Sequence, residues 1–146
     1  MPHDQKTPLT SHRSGALQGR LKVPGDKSIS HRALIFGALA TGETTILGLL
    51  EAGDVLGTAR VLGEMGVPIV KQGDEWRVRG RGTGGLTQPK APLDFGNAGT
   101  GTRLMMGVLT GHHFKATLTG DASLSRRPMG RVLKPLRQMG LAVVEG

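Results

Sequence analysis

Three loops that each run into a helical stretch constrain this chain more than any other feature. They are Pro24-Gly25-Asp26-Lys27-Ser28-Ile29-Ser30-His31-Arg32, Gly96-Asn97-Ala98-Gly99-Thr100-Gly101-Thr102-Arg103 and Gly120-Asp121-Ala122-Ser123-Leu124-Ser125-Arg126-Arg127-Pro128-Met129. A glycine turn that leaves a strand and opens a helix presents unpaired N–H groups at the positive end of the helix dipole, which suits an anion. The chain has 24 glycines among 146 residues, about twice the usual ~7%. With no collagen period or low-complexity tract, these glycines serve turns, helix ends and close backbone approaches.

Between the loops, periodicity gives a repeated order. Residues 1–14 read as a loose leader. Ala16–Val23 alternates in part and reads as a strand, stopped by Pro24-Gly25. A helix is predicted from about Ser28 to Ala40, ended by Gly42, and Thr44–Leu47 reads as a strand. Asp54 reads as the N-cap of a helix through Met65, closed by Gly66. Val67–Val70 and Glu75–Arg79 form a hairpin about Lys71-Gln72-Gly73-Asp74. The order then recurs: strand Leu93–Phe95, helix Thr100–Leu109, strand Phe114–Thr119, and a helix from about Pro128 to Met139. Pro135 should kink that helix or shift its start. Leu141–Val144 reads as a final strand. A shift of 74 residues sets Met65-Gly66-Val67 on Met139-Gly140-Leu141 and Leu62 on Leu136. The fold class is therefore α/β, built of strand–helix–strand–helix–hairpin units. The second copy reaches Glu145-Gly146 where its hairpin is expected to begin, so the pattern reads as incomplete.

Composition narrows the function. Nineteen Lys+Arg against eleven Asp+Glu leave a net charge of +8. Yet there is no Tyr, one Trp and only three Phe, too few for the stacking platforms of single-strand binders. The cations fall at discrete junctions, which fits small anions better than nucleic acid. The absence of cysteine excludes disulfides and thiolate chemistry. No apolar run approaches the ~18–20 residues of a membrane helix, and the polar Met1–Lys6 stretch does not resemble a secretory signal. A soluble, cytoplasmic protein is expected.

Each loop has a bland reading beside the chemical one. Lys27, Ser28 and Arg32 offer an ammonium, a hydroxyl and a guanidinium on one face of a helix start, or merely a capped helix with solvated cations. The spacing is not that of a Walker A loop. Gly96–Arg103 lets a ligand approach the backbone, with Asn97, Thr100 and Arg103 as polar neighbours, or is a glycine-rich connector. Arg126 and Arg127 precede a helix start, where cations oppose the dipole unless an anion lies close; otherwise they are a solvated pair. His112-His113 lack metal-ligand spacing, and His31 reads as a helix-surface residue. A non-catalytic basic module binding small phosphorylated ligands or RNA is the alternative to an enzyme.

These three segments together resemble the 3-phosphoshikimate 1-carboxyvinyltransferases (5-enolpyruvylshikimate-3-phosphate synthases), in order, from about Gly15 onward. The related UDP-N-acetylglucosamine carboxyvinyltransferases lack the Gly25–Arg32 type of segment. The resemblance implies a two-domain enolpyruvyl-transferase fold, an inside-out α/β barrel. Residues 15–22 would be a first strand belonging to the other domain, and 23–146 an incomplete domain of two repeats. It also implies transfer of the enolpyruvyl group of phosphoenolpyruvate to the 5-hydroxyl of shikimate 3-phosphate, in chorismate and aromatic amino acid biosynthesis. By position, Lys27, Ser28 and Arg32 would hold shikimate 3-phosphate, while Lys27, Gly99 and Arg127 would hold phosphoenolpyruvate. Asn97, Thr100 and Arg103 are further candidates. Glyphosate is the implied inhibitor, the full-length enzyme an implied monomer, and neither cofactor, metal, nucleic acid nor membrane is called for. The family's proton-transfer carboxylates match no position here, so the 146-residue chain is expected to be inactive alone.

Overall fold

The structure, a computed structural model, describes residues 8–144. The expected leader falls partly outside it, at residues 1–7. Residues 8–26 have almost no regular structure and are exposed nearly throughout. The strand expected over Ala16–Val23 does not form, and Leu17 and Leu21 stand 91% and 84% exposed. Alternation supplies a face to bury, but a strand also needs a partner edge, and none of the described strands pairs with this segment.

Regular structure begins with α1 (Lys27–Leu39). Asp26 is its N-cap, with Oδ1 accepting the Ile29 N–H at 2.7 Å. Such a cap contributes about 1 kcal/mol. The face carrying Leu34, Ile35 and Ala38 is buried. The chain then leaves the helix earlier than Gly42, because β1 (Thr41–Leu47) already claims that glycine for the sheet. α2 (Gly53–Glu64) follows, with Ala52 as its N-cap. Asp54 is therefore not the cap expected of it: it lies in the first turn, where its side chain is free to face a neighbouring helix. Gly66, with φ +88°, ends this unit as predicted, since a residue with a Cβ rarely adopts that conformation.

β2 (Ile69–Gln72) and β3 (Glu75–Arg81) form the hairpin, and β3 lies centrally in the order β1-β3-β2, antiparallel on both sides. Val78 faces Thr44 on one side and Ile69 on the other, and is fully buried under α1. α1 and α2 pack on each other, with Val55, Val61 and Leu62 completing this part of the core. Each such side chain contributes roughly 1.5–3 kcal/mol when buried.

The second unit is sparser. β4 (Leu93–Asp94) pairs in parallel with β5 (Leu118–Thr119) around α3 (Gly99–Thr110). The strand expected over Phe114–Thr119 thus shrinks to its last two residues, because β4 offers only a two-residue edge. A short α4 (Ala122–Ser125), capped by Asp121, was not foreseen. α5 (Gly130–Gln138) starts two residues after Pro128, with Met129 as N-cap and Pro135 in its interior. Residues 141–144 form no strand, again lacking an edge to join. The expected hairpin beyond them lies outside the described residues. The α/β repeat survives these changes: the 74-residue shift sets α2 on 127–138, where α5 lies.

Candidate functional site

α1, α2 and α3 bring the first two loops to the rim of one cavity of about 750 Å³, and the third loop reaches it through Arg127. Lys27, Gly99 and Arg127 all line it, as do Asn97, Thr100 and Arg103. Besides Asp94 of β4, two charged lining residues were missed as site residues, Asp54 and Arg60. Both project from α2, whose Gly53, Leu56, Gly57 and Arg60 face the cavity at helical spacing. The glycines at positions 53 and 57 were the only available signal: small residues four apart leave room beside a helix.

Ser28 and Arg32 do not line this cavity and are exposed on α1. They stand beside Lys27 on α1, one row further round the helix. Lys27 and His31 occupy the row that faces α2, whereas Ser28 and Arg32 form the next. Arg126 is exposed too, and only Arg127 of that pair reaches the cavity.

Lys27 follows the α1 cap and places Nζ 2.9 Å from Oδ2 of Asp54. Partial burial works against the Asp54 carboxylate. The hydrogen bond and charge of Lys27, the Val55 N–H and His31 outweigh it, holding the carboxyl below its ordinary pKa. His31 is not on the surface as expected but wholly buried. Burial lowers its pKa; Asp54 opposes that effect and Lys27 adds to it.

Asn97 ties the second loop to the third. Its amide Nδ2 donates to Oδ2 of Asp121 at 2.7 Å, and its Oδ1 accepts from Nη2 of Arg127. The Asn97 amide, followed by the Leu124 N–H, holds the Asp121 carboxyl below its ordinary pKa. Arg103 donates to the Gly99 carbonyl at 3.2 Å. Arg60 donates to Glu64 and to the carbonyl of Asp94.

Gly99 is buried at the start of α3, whose N-cap Ala98 supplies no side-chain hydrogen bond. A Cβ there would lie 2.8 Å from Nη1 of Arg127 and 3.0 Å from Nη1 of Arg103. Glycine thus lets two guanidinium groups close over an uncapped helix N-terminus. Lys27, Arg60, Arg103 and Arg127 outnumber Asp54 and Asp94 around the cavity. That surplus, with the dipole end, suits a small polyanion. Among the described residues no group of three His, Asp or Glu could hold a metal ion. His112 instead hydrogen-bonds the Val108 carbonyl.

Comparison with known proteins adds three findings. A family model described as EPSP synthase (3-phosphoshikimate 1-carboxyvinyltransferase) matches residues 12–146. Curated relatives called 3-phosphoshikimate 1-carboxyvinyltransferase include those of Bartonella quintana (strain Toulouse), 57% identical over 94% of this chain and 31% of the relative. That of Mesorhizobium japonicum is 58% identical over 94% of this chain and 30% of the relative. A solved EPSP synthase from Acinetobacter baumannii superposes with a TM-score of 0.79 at 48% identity, covering 84% of this chain and 28% of that one. The chain therefore spans 31% or less of the length of these proteins.

Proposed function

Because the chain belongs to the EPSP synthase (3-phosphoshikimate 1-carboxyvinyltransferase) family, we propose that its cavity is the phosphoenolpyruvate part of a carboxyvinyl-transfer site. In the proposed reaction the 5-hydroxyl of shikimate 3-phosphate adds to protonated phosphoenolpyruvate, and the tetrahedral adduct expels phosphate. Arg127 and Lys27 bind the phosphate and carboxylate of phosphoenolpyruvate, and Gly99 lets that ligand approach the start of α3. Asn97 orients Arg127, and Arg103 backs the same helix end. Ser28 and Arg32, on the neighbouring row of α1, are assigned to shikimate 3-phosphate together with Lys27.

The observation that carries this reading is the joint presence of Lys27, Gly99 and Arg127 around one cavity. Each phosphate brings a charge of about −1.5 to −2, so the two substrates with their carboxylates total roughly −5 to −6. Four cations converge there against Asp54 and Asp94, so they answer part of that charge. Residues 15–22 are assigned to a first strand of another domain, which accounts for the solvent-facing Leu17 and Leu21. Proton transfer is assigned to no residue of this chain. The purified 146-residue chain is accordingly proposed to bind substrate anions without steady carboxyvinyl transfer, since proton transfer and domain closure need other groups. Steady turnover by the purified chain would contradict that. Tight RNA binding with a steep salt slope, and none to phosphoenolpyruvate, would favour a non-catalytic module instead.

A further inference from the structure

Behind the cavity wall, α1, α2 and α3 meet on a buried imidazole. Nδ1 of His31 lies 2.8 Å from Oγ1 of Thr58, and Nε2 lies 3.9 Å from Oδ2 of Asp54. That second distance is too long for a hydrogen bond, and among the described residues Nε2 has no other partner although it is fully buried. The same Asp54 oxygen holds the Lys27 ammonium at 2.9 Å. A chain of polar groups thus runs from the interior to the cavity: Thr58, His31, Asp54, Lys27.

We infer that His31 is a positioning residue: from behind Asp54 it presents an Nε2–H to that carboxylate and so sets how tightly Asp54 keeps Lys27 from an incoming anion.

The tautomer follows from the neighbours. The Thr58 hydroxyl has only a weak alternative acceptor, the Asp54 carbonyl at 3.4 Å, so its O–H donates to Nδ1. The ring proton is then on Nε2. The opposite tautomer would aim a lone pair at the carboxylate across 3.9 Å. The charged groups acting on the ring are Asp54 from α2 and Lys27 from its own helix. α3 approaches the ring through Gly101, where a Cβ would sit 3.5 Å from Cε1 of His31.

An anion entering the cavity competes with Asp54 for Lys27. The Nε2–H dipole takes up part of the Asp54 charge and eases that competition. Protonation of His31 goes further in the same direction, compensating Asp54 and adding positive charge behind Lys27. Anion affinity should therefore rise as the ring titrates.

This inference rests on the cavity being an anion site, as proposed above, but not on any turnover. The probe is inorganic sulfate, titrated calorimetrically into the purified chain from pH 8 down to 5, where an imidazole held below its ordinary pKa begins to gain its proton and sulfate keeps its charge. His31→Leu should weaken sulfate binding about threefold, the lower range for coupled neighbouring groups. At pH 8, where the ring is neutral, the same change in an Asp54→Asn background should have no effect, which a purely structural role would not produce. His31→Gln, whose amide nitrogen reaches the place of Nε2, should restore affinity at pH 8 but abolish its rise on acidification. A loss in His31→Leu that persists undiminished with Asp54→Asn, or no loss in a folded His31→Leu, overturns the inference. If His31→Leu does not fold, an acid rise that survives in His31→Gln overturns it. Absence of sulfate binding by the unsubstituted chain overturns this inference and the anion site together, whereas absence of carboxyvinyl transfer alone leaves it standing.

Discussion

Gly99 and Arg127 belong to different loops, yet a Cβ on Gly99 would meet Nη1 of Arg127 at 2.8 Å. The glycine is what allows the arginine to lie across the start of α3. Gly99→Ala should displace that guanidinium and narrow the space for ligand. Phosphoenolpyruvate and glyphosate, its implied competitor, should each lose about tenfold in affinity, equivalent to about 1.4 kcal/mol. Unchanged glyphosate inhibition in a complete transferase carrying this chain would count against the assignment.

In such a transferase, Lys27→Ala and Arg127→Ala should each lower kcat/KM by about a hundredfold, the effect of losing a charge-assisted contact of about 3 kcal/mol. Arg79→Ala is the control, because Arg79 is exposed on β3 and lines no part of the cavity. Equal losses from all three would remove the reason for singling out the cavity.

Helix ends and turns were legible in the sequence because the residues that make them act locally. Gly66 closes α2 and Gly73 turns the hairpin, each through its own backbone or its immediate neighbours. The meeting of Lys27, Gly99 and Arg127 at one cavity followed from the repeat and the resemblance, not from any single loop. What could not be read depends on tertiary partners. Asp54 looks like a cap until α1 sets Lys27 beside it, and His31 looks exposed until α2 and α3 cover it. Arg60 has no signal of its own, only the small Gly53 and Gly57 on the same face of α2. The strand expected at 16–23 had partial alternation and that at 141–144 an apolar run, but among the described residues neither has an edge to pair with.

Gly101 meets α2 closely, with a Cβ position 2.8 Å from Oγ1 of Thr58. Gly101→Ala should destabilise the chain by about 1–3 kcal/mol, as overpacking does. Adding Thr58→Ala should recover part of that loss. Urea unfolding checks it, and strictly additive losses would show that the two residues do not press on each other.

Stability should also carry the signature of His31. Burial lowers its pKa in the folded chain, so between that lowered value and the ordinary imidazole value the unfolded chain binds a proton that the folded one refuses. Stability should fall as pH drops through the ordinary imidazole value and level off below the lowered one. His31→Gln should flatten that interval in urea midpoints followed from pH 8 to 5. An unchanged slope would place the ring in contact with water. Asp54, held low mainly by Lys27 against the effect of its burial, acts further down. Its contribution is present above the ordinary aspartate value and is lost as pH falls toward its lower folded value.

The most direct measurement is a phosphoenolpyruvate titration of the isotopically labelled chain followed by NMR. Saturable shifts should appear together at Lys27, Gly99 and Arg127, and both Lys27→Ala and Arg127→Ala should abolish them. Shifts confined to the basic face of α5, around Arg131 and Lys134, or no saturable binding at all, would contradict the account.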